Sequence, residues 1–296
     1  FGFTFFLVGT VVGSFLNVCA HRIPREESVV SPRSRCPSCG EPIPWRLNLP
    51  IFGWLLLRGK AACCGARIPF RYLLVELLAG AAFACSWYLF GAGPHPEQAL
   101  AAALFSGLLL GAAFTDLNSF IIPDRFSSGG ALLGLLLATA LPATVLGMDD
   151  GSLSVHLDAL FHSLLGLLVG SATLYWIALL AESILRRDAL GEGDVKLLGC
   201  IGAFCGWQGA LFAIFGGALV GTLVLLPLML LQSLRGGKDE EGKKEQGEDE
   251  APAIGWGVEI PFGPFLAAAA MLYQFGLNEY ADAWFDKLRH TLTLMP

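Results

Sequence analysis

Apolar residues dominate this chain in blocks, and the blocks recur at a similar length. Largely aliphatic and aromatic runs cover residues 1–20, 73–92, 99–115, 128–147, 160–181, 195–206, 208–231 and 261–279, and the segments between them carry most of the charge. A helix rises about 1.5 Å per residue and a bilayer core is about 30 Å thick, so about 20 apolar residues make one crossing. The pattern predicts an all-α fold, a polytopic membrane bundle of about eight transmembrane helices. The sixth block is short, which predicts a tilted, buried or re-entrant segment.

Composition agrees with this reading: 54% of the 296 residues are hydrophobic and only 15% are charged, more apolar surface than one soluble core can hide. The first block has no basic stretch before it and no small-residue cleavage site after it, so it is expected to be a retained helix. Glycines spaced four apart at Gly9/Gly13, Gly107/Gly111, Gly130/Gly134, Gly166/Gly170, Gly202/Gly206 and Gly217/Gly221 predict closely approaching helices. On its own this spacing speaks of packing.

Charge divides the chain into parts. Residues 21–72 carry nine Lys and Arg side chains against Glu26, Glu27 and Glu41, and an excess of basic residues marks a cytoplasmic loop. Counting helices forward puts the loops around 116–127, 182–194 and 232–260 on the same side and the acidic segment near residue 150 outside. The expected organisation is a first transmembrane helix at 1–20, a small cysteine-containing cytoplasmic domain at 21–72 and a membrane domain at 73–296. A polar, glycine-rich stretch at about 232–258 cannot bury enough apolar surface to fold and is expected to be a flexible linker.

The proline-rich loop lacks helical periodicity and needs a staple. Cys36 and Cys39 form a C-P-x-C turn, with Cys63 and Cys64 following after 23 residues. Two thiolates three positions apart can clasp one tetrahedral zinc, and a second pair closes such a site. Here the second pair is adjacent, and Ala61 stands where the outer cysteine of a regular pair would be. A distorted four-cysteine site, a three-cysteine site, free thiols and a disulfide all remain open on spacing alone. Cys19, Cys85, Cys200 and Cys205 fall in or beside apolar helices, where cysteine serves as a small packing residue.

Acidic groups in or at the ends of membrane spans are costly, so each invites an explanation. Asp116 closes "LFSGLLLGAAFT", and Asp194 stands in "GEGDVK" at the start of the sixth block. The topology puts both at one face. Two carboxyl groups held about 3 Å apart share a proton, so the anion can activate water while its neutral partner assists the carbonyl oxygen and the leaving amine, which is acid proteolysis. Gly191 and Gly193 beside Asp194 are expected to permit left-handed or close-approach backbone, and Lys196 to steady the acidic partner in the aspartate pair or meet lipid phosphate. Asp124 is expected to cap the helix that follows it, and Glu76 to pair with a basic residue of the loop.

In this order the segments "GSFLNVCAHRIP", "CPSCGEPIPW", "WLLLRGKAACCGARIPFRYLLVEL", "TDLNSFIIPD", "GEGDVKLL" and "IPFGPFLA" resemble the type IV prepilin peptidases. The resemblance implies an intramembrane aspartyl protease of the G-x-G-D kind, with Asp116 and Asp194 as catalytic aspartates and Gly191 and Gly193 as the motif glycines. It matches Cys36, Cys39 and Cys64 to three of four loop cysteines, with Ala61 in the fourth place and Cys63 as a substitute ligand. It further implies a multi-pass protein of the bacterial inner membrane that removes basic leaders from prepilins or pseudopilins at the cytoplasmic face. The new amino terminus is then N-methylated with S-adenosylmethionine, for which the basic loop is the candidate site. Membrane lipid is the implied surroundings and nucleic acid is no partner. The competing readings are a peptidase without methyl transfer and, from another class, a transporter with intramembrane acids, which predicts an internal repeat that the sequence does not show.

Overall fold

The structure is a computed structural model, and it describes residues 1–148, 152–186, 191–236 and 261–293. Most of the linker at about 232–258, the acidic segment at 149–151 and Arg187 lie outside the described residues.

The regular elements among the described residues are helices, with no strand among them. The elements are α1 (Gly2–Arg22), α2 (Phe52–Leu56), α3 (Phe70–Phe90), α4 (Gln98–Ser119), α5 (Ser128–Ala140), α6 (Pro142–Leu146), α7 (Leu153–Leu185), α8 (Glu192–Gly236), α9 (Gly263–Leu272) and α10 (Asn278–Thr293). By length and composition five helices among the described residues can cross a membrane: Gly2–Arg25, Phe70–Phe90, Gln98–Ser119, Leu153–Ile184 and Glu192–Leu230. Their outward surfaces are apolar, with Val11, Leu100, Phe161, Trp176 and Phe215 more than half exposed, as lipid-facing side chains should be.

Four of the expected eight blocks are built differently from a plain span. Block 128–147 divides into α5 and α6 at Leu141, because Pro142 has no N–H to continue the ladder and instead opens the next helix. Blocks 195–206 and 208–231 belong to one element, α8, interrupted at Gly206 (φ 70°, ψ −177°). Beyond the break the chain runs back along α9, since Gly209 packs on Tyr273, Gly217 on Leu266 and Gly221 on Phe265. Block 261–279 holds only the ten residues of α9, a wide turn with Gly276 at φ 145° and the start of α10.

Small residues set how near the helices come. A methyl group at Gly9 or Gly13 would lie 2.6–2.8 Å from α3 backbone at Ala79 and Glu76, so α1 sits directly on α3. Gly166 of α7 and Gly202 of α8 meet backbone to backbone, and a methyl at Gly170 would lie 2.8 Å from the Leu198 carbonyl. With lipid tails as apolar as leucine, such contact rather than hydrophobicity holds helices together. Phe105 stacks on Phe204 with ring centroids 4.6 Å apart, joining α4 to α8 in a buried cluster with Leu109, Leu197 and Ile201.

Candidate active site

Four helix ends gather at one end of the bundle. The C-terminus of α4 arrives there, stopped by Phe120 in the left-handed conformation, whose N–H bonds the Asp116 carbonyl at 2.8 Å. The N-terminus of α8 carries Asp194 in its first turn, and α9 begins at Gly263. Arg71, at the start of α3, bonds the Asn118 side chain of α4 and ties the cysteine loop to the same end.

Asp116 and Asp194 are both buried, 6% and 8% exposed, and each lies within electrostatic reach of the other. Oδ2 of Asp116 accepts the backbone N–H of Gly263 at 3.0 Å. Asp194 stands in the first turn of α8, where the Gly191 backbone hydrogen-bonds its carboxylate. Its own N–H bonds the Gly191 carbonyl at 3.2 Å, and its buried Oδ1 has no protein partner among the described residues. An anionic oxygen out of water with no donor is costly, so the atom is free for a ligand or a water.

Ile122, buried in the turn after α4, is the wedge between these elements. A methyl at Gly193 would lie 2.9 Å from its Cβ, and one at Gly263 would lie 2.9 Å from its Cδ1 and 2.7 Å from Oδ2 of Asp116. Gly193 therefore serves close approach, whereas a methyl at Gly191 would meet nothing nearer than 3.6 Å, and neither adopts the left-handed backbone that the sequence also allowed. Gly263 is a site residue the sequence reading missed; the signal was there in "FGPF", a glycine set before a proline that starts a helix.

Other expectations are corrected. Lys196 bonds Asp124 at 2.9 Å on the surface and contacts neither buried aspartate. Asp124 accordingly does not cap α5 with its side chain; its carbonyl takes the Gly129 N–H instead. Glu76 pairs with no basic residue among the described residues. Its Oε2 accepts the backbone N–H of Ile51 at 2.7 Å, and Ser14 also bonds it. Ile51 has φ 63°, a sterically disfavoured place for a β-branched residue, and the bond from within the helix layer holds it there.

The cysteine loop folds as two like turns. The Cys36 N–H bonds the Glu41 carbonyl at 2.9 Å and the Gly40 N–H returns to the Cys36 carbonyl at 2.8 Å; the Ala61 N–H bonds Ala66 and the Gly65 N–H returns to Ala61, both at 2.8 Å. Ala61 thus occupies the place of Cys36, Cys64 that of Cys39, and Cys63 that of Ser38. The thiol missing at Ala61 is supplied from Cys63, whose Sγ is 3.2 Å from that of Cys39, while Cys36 and Cys64 are 3.7 Å apart. All four sulfurs lie within 4.8 Å of one another. Ligands about 2.3 Å from a tetrahedral zinc are about 3.8 Å apart, so the set fits that ion. Backbone N–H groups of Cys39 and Ser38 lower the Cys36 thiol to about 6, and hydrogen bonding with Cys39 pushes Cys63 up to about 12.

Residues 7–90, which hold all four cysteines, match the bacterial peptidase A24 N-terminal domain, and residues 102–226, which hold both aspartates, match the type IV leader peptidase family. A prepilin leader peptidase/N-methyltransferase of Myxococcus xanthus (strain DK1622) is 36% identical over 253 residues, covering 84% of this chain and 69% of the relative. The chain belongs to the type IV leader peptidase family. Another relative of the same printed name, from Dichelobacter nodosus, is 32% identical over 297 residues, covering 90% of this chain and 88% of its own. One from Klebsiella pneumoniae is 35% identical over 209 residues, 69% of this chain and 84% of the relative. No solved structure matches the chain. Within this leader peptidase the two matched portions meet at one end of the bundle, where Arg71 bonds Asn118.

Proposed function

We propose that this protein is an aspartyl endopeptidase of the bacterial inner membrane that removes the basic leader from prepilins or pseudopilins at the cytoplasmic face, and that it N-methylates the exposed amino terminus. The observation that carries the reading is the burial of Asp116 and Asp194 together at one end of the bundle. Membership of the family and the printed names of the relatives support both activities.

In the proposed mechanism the pair shares one proton, as two carboxyl groups facing each other in a low-dielectric wall do. The unpartnered Oδ1 of Asp194 is the atom free to take the proton of an attacking water. Asp116, fixed through its other oxygen by Gly263, is the partner that hydrogen-bonds the carbonyl oxygen and then protonates the leaving amine. Ile122, Gly193 and Gly263 keep bulk water from the pair and set its spacing. The substrate's apolar segment rests in lipid beside the helices, so its leader reaches this end of the bundle. The basic residues of the loop support a cytoplasmic position for that end by the positive-inside rule.

Residues 21–72 are assigned as the domain tied to methyl transfer and 73–296 as the peptidase domain. Cys36, Cys39, Cys63 and Cys64 would hold a zinc ion, whose role in a closed four-sulfur site is to staple the loop. The methyl donor implied by the relatives' names is of the S-adenosylmethionine type. Among the described residues no strand runs into a glycine-rich turn of the sort that cradles a nucleotide, so no donor-binding residues are assigned.

The test is incubation of the detergent-purified chain with a synthetic prepilin, read by mass spectrometry. Loss of the leader, followed by a gain of one methyl group when S-adenosylmethionine is added, is expected. An intact substrate would overturn the peptidase reading, and cleavage without methylation would restrict the protein to that activity.

A further inference from the structure

A second polar site lies at the end of the bundle away from the aspartates. It is a cavity of about 360 Å³ at the break in α8, walled by Gln98 of α4, His162 of α7, Phe204 and Gln208 of α8, and Tyr273 and Asp282 from the far end of α9 and from α10. Gln98 opens α4 and Asp116 nearly closes it, so about 27 Å of helix separates the two sites. Nothing in the proposed peptidase mechanism uses it.

Three features of its wall point one way. Asp282 receives a hydrogen bond from the Tyr273 hydroxyl at 2.8 Å, one donor where an ionised carboxylate can accept about four. Oε1 of Gln274 is buried with no partner among the described residues, and so is Nδ1 of His162. Gln274 and His162 line this cavity together with Asp282, while no Lys or Arg among the described residues does. The cavity therefore gathers a carboxylate and two unfilled polar atoms around space large enough for an ion with its water. Asp282 is half-buried there, and a ligand would offset the cost of drawing its carboxylate out of water.

The break itself builds the cavity. A methyl at Gly206 would collide with Cε1 of His162, so the ring fills the space left by the glycine at the turn. Ser163, the next residue of α7, donates to the Ala203 carbonyl at 2.6 Å and satisfies one acceptor freed by the interruption. Interrupted helices in membrane proteins place backbone and side-chain oxygens around cations in this way.

We propose that the cavity is a binding site for a small hard monovalent cation, held by the Asp282 carboxylate and the Gln274 side-chain oxygen, with Tyr273 orienting the carboxylate. His162 faces the same space and limits it on the side of the break.

Sodium is the probe. The thermal midpoint of the full chain in detergent is measured in sodium chloride and in N-methylglucamine chloride at equal ionic strength, together with equilibrium binding of radioactive sodium. The expected result is a midpoint higher by about 2–5 °C in sodium and saturable binding near one ion per chain. Asp282→Asn and Gln274→Leu should each abolish the sodium-dependent difference while prepilin cleavage persists, which shows that the variants fold. Equal midpoints with no saturable binding in the wild-type protein would overturn the proposal, leaving a water-filled cavity. A sodium effect that survives in both variants would overturn the assigned ligands.

Discussion

The backbone N–H of Gly263 donates to Oδ2 of Asp116 at 3.0 Å, linking residues 147 positions apart in sequence. Through this bond the start of α9 fixes the rotamer of an aspartate on α4, and the absence of a side chain at 263 lets the two elements meet. Gly263→Ala puts a methyl 2.7 Å from that oxygen and 2.9 Å from Ile122. Overpacking of this kind costs about 1–3 kcal/mol. A fall in prepilin cleavage well beyond the loss of thermal stability is expected, read from initial rates and midpoint on the same preparation. Full activity in the variant would mean that the contact does not position Asp116.

Glu76 anchors the cysteine loop from inside the helix layer. Glu76→Ala removes the acceptor for the Ile51 N–H, and the strained backbone there, costing about 1–3 kcal/mol, then relaxes. Faster amide exchange at residues 49–53 is expected, measured by hydrogen–deuterium mass spectrometry. Glu76→Gln keeps an oxygen acceptor and should stay close to wild type. Equal exchange in all three proteins would show that the bond does not hold the loop.

The two loop turns share a register, and this makes the irregular cysteine set testable by transplantation. Cys63→Ser should lose bound zinc, and Ala61→Cys added to it should restore about one zinc per chain, because residue 61 occupies the place of Cys36 in the other turn. Metal content by plasma emission spectroscopy decides. Undiminished zinc in Cys63→Ser would remove Cys63 from the ligand set.

Cys36 sets a pH dependence for the metal-free loop. Its thiol lies at about 6 in the folded chain against an ordinary 9.0, so the folded state favours the thiolate. The stabilisation is fully present above about pH 9 and is lost as pH falls through about 6. In chelator-treated protein, the ultraviolet thiolate absorbance should show a step near pH 6 that is absent in Cys36→Ser. A step only near pH 9 would contradict the hydrogen bonding seen at Cys36.

Much of this site was legible because membranes penalise particular residues. Asp116 and Asp194 stood out as acids against apolar runs, and the structure brings them together. The sulfur cluster was visible in the spacing, but the role of Cys63 depends on a turn register that spacing alone does not set. Gly263 was silent for a different reason: its contribution is a backbone N–H and an absent side chain, and neither has a signature in residue chemistry. Glu76 was noticed as an acid needing a partner, yet its partners are the Ile51 main chain and the uncharged Ser14 side chain, neither of which a search for a basic residue finds. Hydropathy located the apolar blocks well and their geometry poorly, since the reversal at Gly206 costs no hydrophobicity.

The central claim is that Asp116 and Asp194 act as one unit, and cleavage rates of Asp116→Asn, Asp194→Asn and the double variant test it most directly. Each single change is expected to lower the rate by about 10²–10⁴-fold or more, and the double variant to be no worse than the poorer single. Single variants that cleave at the wild-type rate, or losses that multiply in the double variant, would contradict it.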